Sequence, residues 1–185
     1  RELISVARPN PGHMALVEAR DYSFRYLRGK EPALKNINLT IEPGTVVGVV
    51  GKAGAGKSTL LKALMGIVPH IEPGYMEGDL TVAGNPIRDN DVSQMAHHVS
   101  IVLETPEVQI FSLTVKDDIA FGPANLGLPR AEIWERVGYA IKESELEGFE
   151  DRNPNNLSGG EQQSLALAGA LAMRPKLLAM DEPVS

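Results

Sequence analysis

The sequence predicts an α/β fold with a mixed or parallel sheet at its core, on three observations. Residues 45–51, TVVGVVG, form a continuous apolar run, the mark of a strand buried on both faces. That run leads directly into a glycine-rich turn and a helix-forming stretch. Residues 176–181, KLLAMD, repeat the buried-strand pattern near the other end, and helical periodicity fills residues 115–156 between the two.

Taken in order, residues 15–26 (ALVEARDYSFRY) alternate loosely and read as a strand, with residues 34–41 (LKNINLTI) as its antiparallel partner. EPG at 42–44 is a turn, and 45–51 is the buried strand. Residues 57–68 read as a helix, and 68–79, rich in Pro and Gly, as a loop. Short strands are expected at 80–84 and 99–104. Beyond Val115 the pattern turns helical, with Pro123 and Pro129 as punctuation. Arg130, Ile133, Trp134 and Val137 give that segment its amphipathy, with Trp134 assigned to the core. Residues 158–173 are a long Ala/Leu helix, stopped at Arg174 by Pro175. His97 and His98 read as surface residues.

Composition narrows the function classes. The chain has 185 residues, 43% hydrophobic and 23% charged, enough for one sizeable domain. A formal net charge of -6 argues against general nucleic-acid binding, which depends on basic surface. The absence of cysteine excludes a disulfide framework and thiolate chemistry. No run of 18 apolar residues is present to span a membrane. Residues 1–13, polar and broken by two prolines and a glycine, read as a linker or a non-native remnant. The domain is then 14–185, and its stop directly after a core-strand pattern reads as a C-terminal truncation.

GKAGAGKS (51–58) fits G-x-x-x-x-G-K-[ST] between an expected strand and an expected helix, the setting that marks a phosphate-binding loop. Gly51, Gly54 and Gly56, with Lys52, Ala53 and Ala55, let successive N–H groups face phosphate oxygens, and the helix N-terminus adds its partial positive charge. Lys57 would reach the β- and γ-phosphates; Ser58, with Thr59 beside it, would ligate Mg²⁺. In LLAMDE (177–182), four apolar residues deliver Asp181 to a strand end, where it would hold Mg²⁺, and Glu182 would act as general base toward the attacking water. Ser158 and Glu161 make an S-x-x-E capping box, which by itself marks only a helix start. A capping box does not need Gly159 and Gly160, however; two glycines there leave bare amides for a close anion. One anion site per nucleotide is already supplied, so the economical reading gives this second site to the γ-phosphate held by another subunit.

GKAGAGKST, LSGGEQ and LLAMDEP resemble the Walker A, signature and Walker B motifs of the ATP-binding-cassette ATPases, in order and in spacing, and the resemblance runs from about Ala15 to Ser185. It implies a P-loop NTPase fold of the ABC ATPase type: a mixed-sheet core, an N-terminal antiparallel β part and an inserted helical subdomain near 115–158. It implies ATP and Mg²⁺ as cofactors, and a second ABC ATPase domain as a head-to-tail partner, identical or different. By it Tyr26 stacks on adenine, although a sheet aromatic in an ordinary role fits the same position. Residues 106–129 and 168–183 look like the ATPases of energy-coupling-factor and cobalt-type importers. That implies uptake of a vitamin or transition-metal ion through separate integral membrane subunits, with the chain peripheral on the cytoplasmic face and no nucleic-acid partner.

Three departures accompany the resemblance. Glu104 stands where the family has the Q-loop Gln, and can still offer an oxygen to Mg²⁺. Ser164 stands where an Arg is usual. The D-loop and switch His fall beyond Ser185, so this chain alone is expected to turn over little ATP. The rival readings are a nucleotide-binding, weakly hydrolysing regulatory half of an ABC dimer, and a soluble ABC ATPase outside transport.

Overall fold

The computed structural model describes residues 15–181, which fall into two compact units divided after Val99. The linker assignment at 1–13 and the general-base assignment at Glu182 lie outside the described residues.

The first unit is built on an antiparallel sheet. Strands β1 (Val17–Tyr26), β2 (Leu34–Ile41), β3 (Gly74–Val82) and β4 (Asn85–Pro86) lie in the order β2-β1-β3-β4. Val17, Ala19, Tyr22 and Phe24 face the core, and the change of phase after Ala19 is a bulge in the β1 register. That bulge is why the alternation looks loose in the sequence. Residues 74–79, expected as loop, are strand: β3 pairs with β1 from Tyr26↔Gly74 to Val17↔Val82. Its glycines answer cross-strand crowding. At Gly78 (φ +69) a Cβ would collide with the carbonyl oxygens of Arg20 and Asp21, opposite the bulge. Ala83 and Gly84, both at positive φ, close the β3–β4 hairpin.

Helix α1 (Lys57–Leu64) is shorter than the 57–68 expectation, because Gly66 at φ 76 breaks it before the short α2 (Ile67–His70). Leu60, Ala63 and Leu64 are its buried side. A capping box between Asp91 and Gln94 opens α3 (Val92–Met95). His97 is exposed, but His98 is half-buried.

The expected strand at 45–51 is not formed. No strand among the described residues pairs with it, Val46 is fully exposed and Val50 is 73% exposed. An apolar run becomes a strand only through the ladder its neighbours supply, so its composition does not suffice.

Tyr22 is fully buried on β1, and its hydroxyl has no hydrogen-bond partner among the described residues. Burial pushes that hydroxyl from 10.0 up to about 12. Tyr22→Phe is therefore expected to raise unfolding stability by about 1 kcal/mol, by removing an unsatisfied polar atom without changing shape. The raised value also means that stability present below pH 10 is lost as pH climbs toward 12. Denaturant unfolding from pH 8 to 12 checks both: the variant should start higher and escape this alkaline loss.

In the second unit β5 (Val99–Val102), which begins at the division, pairs with β6 (Leu177–Met180). Helices α4 (Val115–Asn125), α5 (Arg130–Glu143) and α6 (Gly159–Ala172) surround a core that includes Val115, Ile119, Val137, Ile141, Leu165 and Ala168. α6 is apolar around most of its circumference because it is buried on two sides. Leu165 and Ala168 join the helical core, while Ala166 and Ala170 pack with Val102 of β5. Arg136 joins α5 to the end of α6, pairing with Glu132 at 2.7 Å and donating to the Met173 carbonyl at 3.1 Å, where the helix dipole favours a cation.

Two assignments change here. Pro123 sits inside α4, near its end, and does not punctuate it; Pro129 does, as the N-cap of α5. Trp134 is 40% exposed, because the buried face of α5 runs through Val137, Ala140 and Ile141 and Trp134 falls beside it.

Candidate functional site

The glycine-rich segment folds in the first unit as an exposed loop closing onto α1. The Ala55 N–H donates to the Lys52 carbonyl at 3.0 Å, and Gly54 turns the chain at φ 75. Gly56 is the N-cap of α1 at φ 99, where a Cβ would meet the Ala33 carbonyl oxygen. Both its dihedral and its surroundings demand glycine. Lys57 reaches back across the loop and donates from Nζ to the Gly51 carbonyl at 3.0 Å. Ser58 is exposed in the first turn. Tyr26 comes within 3.2 Å of the Thr59 hydroxyl, while its ring packs edge-on against Phe24 at 5.0 Å. The tyrosine thus sits beside this helix start, with part of its ring committed to the sheet.

α1 begins with no side-chain cap and no acidic residue in its first turn. Its leading N–H groups therefore keep unmet donor capacity and the positive end of the dipole. This fits a polyphosphate, since a Cβ at Gly54 would meet no atom within 4 Å and the loop leaves room for a close oxygen.

The second glycine-rich helix start differs. Ser158 caps α6 in a complete capping box: the Ser158 N–H donates to Glu161 Oε2 at 2.6 Å, and the Glu161 N–H donates to Ser158 Oγ at 3.4 Å. The Ser158 side chain, and then its backbone N–H, hold the exposed Glu161 carboxyl below the usual glutamate range. The box leaves the Gly159 and Gly160 amides untouched, and a Cβ at either would meet nothing within 4 Å. Among the described residues, packing gives no reason for glycine at either position. Ser164 is half-buried farther along α6.

Asp181 follows β6, and its N–H donates to the Val102 carbonyl at 2.9 Å, tying it to the end of β5. Glu104 lies two residues beyond Val102 and is exposed. Among the described residues, no cluster of three or more His, Cys, Asp or Glu could hold a metal alone. Within residues 106–129, which carry the importer resemblance, the Gln109 side chain bonds to the backbone of residues 101 and 103. The same stretch exposes Val108, Phe111, Leu113 and Phe121, in which the two Phe rings meet edge to face at 4.4 Å. Both depend on three-dimensional contacts that no local pattern announces.

A family model described as ABC transporter matches residues 34–185. The energy-coupling factor transporter ATP-binding protein EcfA of Methanocaldococcus jannaschii is 42% identical over 174 residues, covering 93% of this chain and 60% of the relative. The EcfA of Methanothermobacter thermautotrophicus is 41% identical over 172 residues, covering 92% and 53%. Among solved structures, CbiO1 from Clostridium perfringens, described as part of the ABC transporter complex CbiONQ, aligns with a TM-score of 0.78 at 32% identity. That alignment covers 90% of this chain and 65% of CbiO1. The chain thus spans less than two thirds of the length of each of these proteins.

Proposed function

This chain belongs to the ABC transporter family, and we propose that it is the ATP-binding and hydrolysing subunit that powers import of a small solute through separate membrane subunits. The solute is of the vitamin or transition-metal class, in keeping with the names of its EcfA and CbiO1 relatives. Residues 51–59 bind the nucleotide phosphates, Tyr26 lies against the base, and Ser58, Glu104 and Asp181 serve Mg²⁺. Glu182 activates the attacking water. Ser158, Gly159, Gly160 and Glu161 address the γ-phosphate of a second ABC domain. Residues 14–185 act as one ATPase domain, with residues 115–158 as the helical subdomain that meets the membrane partner at the cytoplasmic face.

The observation that carries this reading is the contrast between the two helix starts. α1 has an uncapped N-terminus and a glycine its own fold requires; α6 has a capped one, followed by glycines its own fold does not require. The first suits a ligand of this chain, the second a ligand presented from outside. The exposed Val108, Phe111, Leu113 and Phe121 support a docking partner, and none of the described helices is long and apolar enough to cross a membrane itself.

Competition against a fluorescent ATP analogue in Mg²⁺ tests the nucleotide assignment. ATP should compete about 100-fold better than AMP, a difference of roughly 2.7 kcal/mol, because the loop contacts fall on the β- and γ-phosphates. Equal competition by AMP would remove the phosphate-cradle reading.

A further inference from the structure

Alternate backbone groups of a strand point to opposite edges. At the end of β5, the Val102 carbonyl points to one edge and accepts from the Asp181 N–H at 2.9 Å. The Ile101 carbonyl and the Leu103 N–H point to the other edge, and Gln109 occupies it. Its Oε1 accepts from the Leu103 N–H at 2.7 Å, and its Nε2 donates to the Ile101 carbonyl at 3.0 Å. One donor and one acceptor placed around residue 102 reproduce what a parallel strand would offer, and their positions fix which end of the amide is oxygen. The Gln109 backbone is anchored in turn, its N–H donating to the Pro106 carbonyl at 2.9 Å. The segment carrying Glu104 is thereby closed into a clasp on the strand end that holds Asp181.

We propose that Gln109 is a positioning residue for magnesium: its side-chain amide locks the end of β5, so that Glu104 and Asp181 are held in the arrangement the nucleotide-bound ion requires. This rests on the reading that Glu104 and Asp181 serve Mg²⁺. Groups that orient ligands without touching the ion typically govern about 10–100-fold in metal affinity. Gln109 also lies between exposed Val108 and Phe111, so a partner pressing on those side chains acts on the same clasp.

The test is the Mg²⁺-dependent gain in ATP affinity, the ratio of dissociation constants in EDTA and in Mg²⁺, measured calorimetrically on the whole chain. Gln109→Ala should cut this gain about tenfold while its affinity for ATP in EDTA stays at the wild-type value. Gln109→Glu keeps the acceptor but loses the donor at pH 8, so its gain should be low there. A wild-type gain in Gln109→Ala, or in Gln109→Glu at pH 8, overturns the inference alone. So does an equal loss of affinity in EDTA and in Mg²⁺, which marks a merely structural role. A wild-type chain with no Mg²⁺-dependent gain overturns the magnesium reading, and this inference with it.

Discussion

Lys57→Ala is expected to weaken Mg²⁺·ATP binding by about two orders of magnitude or more while leaving the chain folded. Charge-assisted hydrogen bonds are each worth about 1.5–3 kcal/mol, and the proposed role gives this ammonium two phosphate groups. Its contact in the structure is a 3.0 Å bond to the Gly51 carbonyl in an exposed loop, and it is not among the buried residues of α1. The substitution should therefore change unfolding stability by no more than about 0.5 kcal/mol. Calorimetric titration and denaturant unfolding of the same preparation separate the two effects. Unchanged affinity would sink the phosphate-loop assignment, and a large stability loss would show that Lys57 supports the fold.

Gly160→Asp should act in the opposite place. A Cβ at Gly160 meets nothing within 4 Å among the described residues, and an acidic residue in the first turn suits the helix dipole. The monomer should therefore fold and bind ATP as before. Assembly on ATP should fail, because the new carboxylate faces the γ-phosphate carried by the second subunit. Like charges at 4 Å repel by about 4 kcal/mol at an effective dielectric near 20, enough to weaken an ATP-dependent dimer roughly a thousandfold. Sedimentation with and without Mg²⁺·ATP measures this, and a variant monomer that loses ATP binding would place the signature on its own chain's nucleotide.

What could be read in advance divides along a physical line. The Ser158–Glu161 box, the Gly56–Lys57 helix start and the β1–β2 pair depend on residues close in sequence, and each appears where its pattern placed it. Residues 45–51 have the composition of a central strand, but a strand exists only through neighbours distant in sequence, and there the expectation failed. Gly78 looked like a loop residue because the carbonyls that exclude a side chain belong to Arg20 and Asp21, far away along the chain. Trp134 lies about 60° around the helix from Val137, at the margin of the buried stripe, and stays 40% exposed. Gln109 gave no local signal, since its partners are backbone groups of β5 and the residue after it. Of the candidate site, the glycine-rich start of α1, the capped start of α6 and the strand that leads to Asp181 were legible as local patterns; the clasp that ties the Glu104 segment to β5 was not.

The central claim is that the two glycine-rich helix starts serve one nucleotide from two chains. Mixing equal amounts of Lys57→Ala and Gly160→Asp chains tests it most directly. Each variant alone should stay monomeric in Mg²⁺·ATP. In the mixed pair, the intact phosphate loop of the Gly160→Asp chain faces the intact signature of the Lys57→Ala chain. One composite site is restored, so sedimentation should show a heterodimer carrying a single ATP. A mixture that remains monomeric, while the unsubstituted chain dimerises under the same conditions, would contradict the account.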